Sequence, residues 1–386
     1  MSKLGVNREH QKKTNRGLVL KLIATGQCAS RVELARATGL TKMAITQIVN
    51  ELIEKDYLIE KNDLDKNPAS LGRNPISLGI SPRAPRYAGI LVQRGFCQAV
   101  LCDMELHVLK SERIDRDCQN EKELMEDVFS LLDRVLEGET NVAGIGAASI
   151  GAVDVKEGVI VRPLYFNDIR NVKLRAHLEE RYGLPVSFDH DNQSAVLAEQ
   201  LYGNGRGYQD ILLVGVSRGV GCGILVEGRR MHSHNGYAPE IGHVSIDSHG
   251  KRCICGNLGC LEQYVNSMET RRRFCEATGL DLTYDEFCRM TEDPRVDAIM
   301  REVVADLCSG ILSVLNILNS QIVLLCMDCC SWPDKYIQMI EQDINKKRFG
   351  NGNILVPVKK TYFLHQTQVL GAACNIINMV YHGELL

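Results

Sequence analysis

Glu240-Ile241-Gly242-His243 is followed, after nine intervening residues, by Cys253-Ile254-Cys255-Gly256-Asn257-Leu258-Gly259-Cys260-Leu261-Glu262. One histidine and three cysteines thus fall within 18 residues. An imidazole and three thiolates complete the tetrahedral set that zinc prefers. With every position filled by protein, such an ion is structural rather than catalytic. Gly256 and Gly259 permit the tight knuckle that brings three sulfurs together. Lys251 and Arg252 alongside are expected to favour the thiolate forms. The competing reading is a chance cluster, or a redox pair, in a chain of 15 cysteines. The mixed ligand set and its glycine punctuation favour one zinc per chain, on His243, Cys253, Cys255 and Cys260.

Outward from this knuckle the chain alternates between short apolar runs and amphipathic segments. Toward the N-terminus, strands are expected at 87–93, 97–102, 107–115 and 142–150, with a helix at 121–137. A second set follows: strand 185–189, helix 192–202 and strands 211–217 and 221–227. Beyond the knuckle come a long helix near 296–318, strand 321–327, helix 334–347, strand 353–359 and a last helix near 367–382. Repeated units of this order make the body an α/β fold of two lobes with a cleft between them.

Composition is that of an ordinary globular protein, 45% hydrophobic and 24% charged. No apolar run approaches the roughly 18 residues of a membrane span, and the N-terminus carries no apolar secretion segment. Fifteen cysteines without such a segment point to reduced thiols in a cytoplasmic setting. Charge is uneven. Residues 1–80 hold 13 basic and 8 acidic side chains, so a net of −3 for the whole chain leaves the body at −8. A basic segment ahead of an acidic body suits a nucleic-acid module.

That segment has its own pattern. Residues 16–26 read as a helix with Leu18, Leu22 and Ile23 on one face, ending at Gly26. Ser30-Arg31-Val32-Glu33 is a capping-box pattern opening a second, short helix, and Gly39-Leu40-Thr41 turns into a third. There Ile45, Ile48, Val49, Leu52 and Ile53 form an apolar stripe, leaving Lys42, Met43, Thr46, Gln47 and Asn50 on the other face. Two strands, Tyr57–Lys61 and Pro75–Ile80, flank a turn-rich tip containing Lys66 and Arg73. This is the order of a winged helix-turn-helix, with Lys42, Met43, Thr46, Gln47 and Asn50 able to reach base edges and Arg73 a phosphate or minor groove. A small helical bundle used for protein contacts is the competing reading. Ser81-Pro82-Arg83-Ala84-Pro85-Arg86 is the expected boundary, giving a DNA-binding domain at 1–82.

The body resembles the ROK family of sugar kinases and sugar-responsive repressors. The resemblance rests on the Glu240–His243 box, the Cys253–Glu262 knuckle and His190-Asp191-Asn192-Gln193-Ser194-Ala195-Val196-Leu197-Ala198-Glu199, and covers about 86–386. With the N-terminal module it is closest in type to repressors of the N-acetylglucosamine, glucose and xylose kind. It implies a duplicated, actin-like (ribonuclease-H-like) fold, with lobes at 83–190 and 191–366 and a C-terminal helix, about 367–386, that returns to the first. It also implies sugar contacts from His190, Asp191, Glu240, His243 and Glu262. Carboxylates and an imidazole do form paired hydrogen bonds to vicinal hydroxyls. Without the resemblance, Glu240 and Glu262 read as hydrogen-bond support for the knuckle. His190 replaces the usual Asn, and Gln193 stands where the kinases have a second Asn.

The kinases of this family also carry glycine-rich turns for ATP. Their Asp-x-Gly-Gly-Thr turn corresponds here to Leu91-Val92-Gln93-Arg94-Gly95. Their second phosphate loop reads Ser217-Arg218-Gly219-Val220-Gly221-Cys222-Gly223, with alternate glycines kept and the threonine lost. A third glycine element reads Leu324-Leu325-Cys326-Met327-Asp328. Phosphoryl transfer depends on such backbone cradles and an acidic residue for magnesium. The resemblance therefore implies a repressor without catalytic residues: a homodimer or tetramer on operator DNA, relieved by a sugar or sugar phosphate. A zinc-containing sugar kinase, or a repressor controlled by a sugar-transport protein, is the alternative. Membrane insertion is not expected.

Overall fold

The structure is a computed structural model and describes residues 8–61, 76–233, 237–290, 292–350 and 354–386. It opens with α1 (Arg8–Ala24), α2 (Arg31–Thr38) and α3 (Lys42–Glu54), followed by β1 (Leu58–Lys61) and β2 (Ser77–Ile80), paired antiparallel. Helix α1 begins earlier than its sequence suggests, and its buried face is Val19, Leu20, Leu22 and Ile23, with Leu18 only half-buried. The Ser30 hydroxyl caps α2, accepting from the Glu33 N–H at 3.3 Å. The reciprocal bond of the expected capping box goes one residue further back, from the Ala29 N–H to the Glu33 carboxylate at 2.6 Å. Helix α2 ends on Gly39, whose φ of 71° lets its N–H reach the Ala35 carbonyl. Thr41 then caps α3, which buries Ile45, Val49 and Leu52. Ile48 and Ile53 are half-buried. The tip expected between β1 and β2, with Lys66 and Arg73, lies outside the described residues.

The body starts with β3 (Arg86–Gln93), β4 (Phe96–Cys102), β5 (Val108–Ile114), α4 (Glu121–Leu136) and β6 (Val142–Ser149). Residues of β3 from Tyr87 on are buried without alternation, as in a strand covered on both faces. Strand β5, with Lys110, Glu112 and Arg113, is the charged edge. The short β7 (Val153–Asp154) and β8 (Val159–Ile160) precede α5 (Leu174–Tyr182), β9 (Val186–His190) and α6 (Asp191–Tyr202). Next come β10 (Ile211–Val216), β11 (Val220–Val226) and β12 (Arg229–Arg230). Helices α7 (Glu262–Val265), α8 (Ser267–Thr278), α9 (Tyr284–Arg289) and α10 (Pro294–Leu318) lead to β13 (Ile322–Met327), α11 (Asp334–Lys347), β14 (Val358–Lys360) and α12 (Thr367–Tyr381). The sequence reading missed α5 and α7–α9. Helix α5 buries only Leu174 and Leu178, too little apolar periodicity to stand out.

The two large sheets each have five strands, in the orders β5-β4-β3-β6-β9 and β12-β11-β10-β13-β14. In the second, β10 is antiparallel to β11 and parallel to β13, which is parallel to β14. The chain divides into two compact units. One comprises residues 1–148, 165–188 and 372–386; the other comprises 149–164 and 189–371. Helix α12 thus contributes residues to both.

In the first unit, α12 packs tightly at glycines. A Cβ on Gly146 would lie 1.8 Å from the Ala372 carbonyl oxygen, and one on Gly17 of α1 only 2.4 Å from that of Tyr381. The expected connector is pinned rather than loose: Ser81 and Ala84 are buried, and the Ser81 N–H donates to the Tyr57 carbonyl. In the second unit, β10 sends Leu212, Val214 and Val216 into a core shared with α10 and α11. Its alternate residues Ile211 and Leu213 pack with Ala195 and Val196 of α6. No described helix is long and apolar enough to cross a membrane.

Candidate functional site

The knuckle residues converge. One ligand atom each from His243, Cys253, Cys255 and Cys260 lies within 4.8 Å of all the others. The Cys253 Sγ is 3.6 Å from His243 Nδ1, and the Cys255 and Cys260 sulfurs are 3.6 Å apart. Zinc bonds of about 2.3 Å to sulfur and 2.0 Å to nitrogen put tetrahedral edges at roughly 3.5–3.8 Å. The donor set and its spacing therefore fit a metal ion.

The local backbone explains the convergence. The Cys253 N–H donates to the Asn257 carbonyl, and the Gly256 N–H to that of Cys253, closing a turn that needs φ of 97° at Gly256. Gly259, at φ 65°, leaves no room for a side chain against the Asp247 carbonyl, 1.7 Å from where a Cβ would stand. Gln263 Nε2 reaches Cys253 Sγ at 3.7 Å. Lys251 does not serve the thiols as expected: its ammonium is bound to the Glu269 carboxylate at 2.9 Å and the Gln263 carbonyl at 3.3 Å. Burial and the neighbouring Cys255 and Cys253 push the Cys260 thiol up to about 12. The Asn257 N–H lowers that of Cys255. A cation among them is what would turn all three into thiolates.

The knuckle is built into a second cluster. Glu240 stands three residues before His243, at the head of a 3₁₀ turn over Ile241–His243. Glu262 stands two residues after Cys260, at the start of α7. Leu261 between them is fully buried and meets α10 at Gly310. The turn from β10 into β11 is gripped on both sides: the Val220 N–H donates to the Glu262 carboxylate at 3.2 Å, and its carbonyl lies against Gly242. Glu240 is an exposed residue whose carboxyl is partly desolvated, and its electrostatic neighbours are His190, His243, Asp191 and Glu262. Desolvation, helped by Asp191 and Glu262, raises it above the usual carboxylate range against the pull of the two imidazoles. The five residues that the family resemblance marked are thus one cluster in the second unit.

At its floor, His190 ends β9 and Asp191 begins α6. His190 Nδ1 lies 3.1 Å from Asp191 Oδ1, and the Asn192 N–H donates to that carboxylate oxygen at 2.6 Å. Gln193 does not join them. Its amide donates to the Met231 carbonyl at 2.6 Å and accepts from the Ile224 N–H at 3.3 Å, stitching α6 to the neighbouring sheet. The alternate glycines of the stretch Ser217–Gly223 have a packing role. A Cβ on Gly221 would lie 2.7 Å from the Asn192 amide, and one on Gly223 only 2.0 Å from the Asn192 carbonyl oxygen.

The sequence reading missed three residues here. Asp189 is buried, receives the His190 N–H at 2.7 Å, and faces Arg230 at 2.5 Å and His232 at 2.9 Å. Burial pushes its carboxyl up, but Arg230 and His232 prevail and hold it below its ordinary range. The only sequence trace was an Asp directly preceding His190-Asp191, with Arg230 and His232 forty residues away.

In the first unit, Lys42, Met43, Thr46, Gln47 and Asn50 all lie on the exposed side of α3. Gln47 donates to the Glu51 carboxylate at 3.1 Å, and Asn50 accepts from Arg31 at 3.2 Å. Arg31, which the sequence reading passed over, also pairs with Glu60 at 2.8 Å. Arg73 lies outside the described residues.

The model of the ROK family matches residues 87–378. The DNA-binding transcriptional repressor Mlc of Escherichia coli is 27% identical over 396 residues, spanning 97% of this chain and 95% of its own. The xylose repressor of Bacillus subtilis is 23% identical over 90% of this chain and 91% of its own. Among solved structures, a ROK family transcriptional regulator described as a homolog of the Escherichia coli protein superposes with a TM-score of 0.82. It is 25% identical and covers 97% of this chain and 98% of its own.

Proposed function

The chain belongs to the ROK family, and from that premise we propose that it is a sequence-specific DNA-binding repressor of sugar-use genes, relieved when a sugar or sugar phosphate occupies the cluster of the second unit. Residues 1–82 act as a winged helix-turn-helix, in which α3 enters the major groove. The remainder is an actin-like ROK body, one lobe drawn from 83–148, 165–188 and 372–386 and the other from 149–164 and 189–371. The observation that carries the reading is the coexistence in one chain of two sets of residues. Three helices, two of them with side-chain caps, and an antiparallel strand pair come first in the chain, and five polar residues, His190, Asp191, Glu240, His243 and Glu262, gather in the second unit.

Those five groups suit a polyhydroxylated ligand. The carboxylate of Asp191 can accept from a hydroxyl, and Glu240, whose carboxyl is raised by desolvation, can accept or, when protonated, donate. His243, Cys253, Cys255 and Cys260 would hold one structural zinc, which would supply no reaction chemistry and would fix the spacing of Glu240 and Glu262 at the two ends of the knuckle. Catalysis is not part of the proposal. The glycines at 221 and 223 are accounted for by the packing of Asn192, and Met327 and Asp328 occupy the third nucleotide element.

A homodimer or tetramer would present two winged modules to a palindromic operator, with half-sites one or two turns apart. Reciprocity requires that a ligand relieving repression bind the operator-bound form less tightly than the free form. The test is thermal stability of the zinc-loaded chain against sugars and sugar 6-phosphates, each with and without Mg-ATP. A sugar-specific rise indifferent to ATP is expected. A rise with ATP, or ADP appearing in the sample, would make the protein a kinase. No response to any sugar would transfer control to a protein effector.

A further inference from the structure

Methionine is an unexpected residue in the first turn of a helix that offers an otherwise polar face to solvent. Met43 follows the Thr41 cap by two residues and is 82% exposed. It takes no part in the core of the module, which α3 supplies through Ile45, Val49 and Leu52. Its helical neighbours three and four residues on are Thr46 and Gln47.

The polar side chains of that face have partners within the protein. Thr46 donates its hydroxyl to the Lys42 carbonyl at 2.8 Å. Gln47 donates to Glu51, whose other oxygen is held by Arg16 at 2.7 Å. Asn50 is bound by Arg31, itself paired with Glu60. Bidentate base recognition by Gln47 or Asn50 would compete with these bonds. Met43 has nothing to break, and its flexible thioether adapts to an apolar partner. In the major groove the apolar feature of a base edge is the 5-methyl group of thymine.

We propose that Met43 is a specificity-determining residue that packs on a thymine 5-methyl group in each operator half-site. The proposal rests on the operator-binding reading above and names part of what that site reads. Lys42 beside it is placed for the phosphate backbone, which positions the helix without selecting sequence.

The experiment begins with duplexes selected from a random-sequence library by the full-length, zinc-loaded chain. Each thymine of the selected consensus is then replaced by deoxyuridine, which removes only the methyl group, and affinity is read by fluorescence anisotropy. One thymine position per half-site should cost the unaltered protein about fourfold, the worth of one buried methylene-sized group. Met43→Ala should bind the thymine duplex more weakly and be indifferent to that same replacement. Its salt dependence should parallel that of the unaltered protein, since no phosphate contact is lost. Matching melting curves would show that the exposed substitution leaves the fold intact. If no thymine methyl matters, or if Met43→Ala loses as much as the unaltered protein on going to deoxyuridine, the proposal is overturned. A library yielding no enriched sequence would instead remove the operator-binding reading, and this proposal with it.

Discussion

Asp189→Asn removes one charge and keeps the shape of the side chain, so it isolates the ionic tie beneath His190 and Asp191. The Asp189 side chain is 2% exposed, while Arg230 and His232 keep 21% and 24% of theirs in water. Stranding a partner in a fully buried pair costs about 3–5 kcal/mol. Both partners here can still be hydrated in part, which reduces the expected loss to about 2–3 kcal/mol. The sign of the pH dependence follows from the direction of the shift. A carboxyl held below its ordinary value stabilises the fold above the unfolded value near ~3.9, and that contribution is lost as pH falls through the lower folded value. The gap between the unaltered protein and the variant should therefore be flat from about pH 8 to pH 5 and close only below about pH 4. Trp332, the one tryptophan of the chain, is fully buried in the same unit, so its fluorescence during urea unfolding reports the loss directly. A variant within about 0.5 kcal/mol of the unaltered protein would refute the tie.

Cys255→Ser removes an exposed ligand without disturbing the core. It should cut zinc affinity by more than the roughly 10–100-fold typical of losing an outer hydrogen-bond partner, and weaken sugar binding with it; metal content by mass spectrometry and calorimetric sugar titration check both, and intact sugar binding without metal would contradict the spacing role. Gly39→Ala meets no atom within 4 Å, so only its φ of 71° opposes it, for about 1–2 kcal/mol of stability. Gly242→Ala drives a Cβ to 2.2 Å from the Val220 carbonyl oxygen, and should reduce sugar affinity as well as thermal stability. Glu240→Gln should make the protein more stable at pH 7, because desolvation and the neighbouring Asp191 and Glu262 raise the carboxyl and its ionised form opposes folding there. That advantage should vanish as pH falls below the ordinary glutamate value near ~4.3, while sugar affinity drops at every pH.

Much of this protein is legible along the chain because its signals are local. The capped helices α2 and α3 follow from Ser30, Gly39 and Thr41, whose side chains or conformational freedom act within one turn. The knuckle follows from four candidate ligands inside 18 residues, and the buried strands from runs of apolar residues. Tertiary structure decided what depends on distant partners. Gln193 reads as a site residue in its motif, yet its amide is consumed by Met231 and Ile224. The glycines at 221 and 223 read as the trace of a phosphate loop, yet they make room for Asn192. Lys251 reads as an activator of thiolates, yet it is bound to Glu269, 18 residues away. Asp189 is silent in sequence because its charge has meaning only beside Arg230 and His232, which β12 and the residue pair after it bring back across the sheet. Hydrogen bonds and ion pairs act over about 3 Å of space whatever the separation in sequence. Periodicity and spacing therefore determine the elements and the Cys/His knuckle, and only the folded chain determines which polar side chains remain available for a ligand.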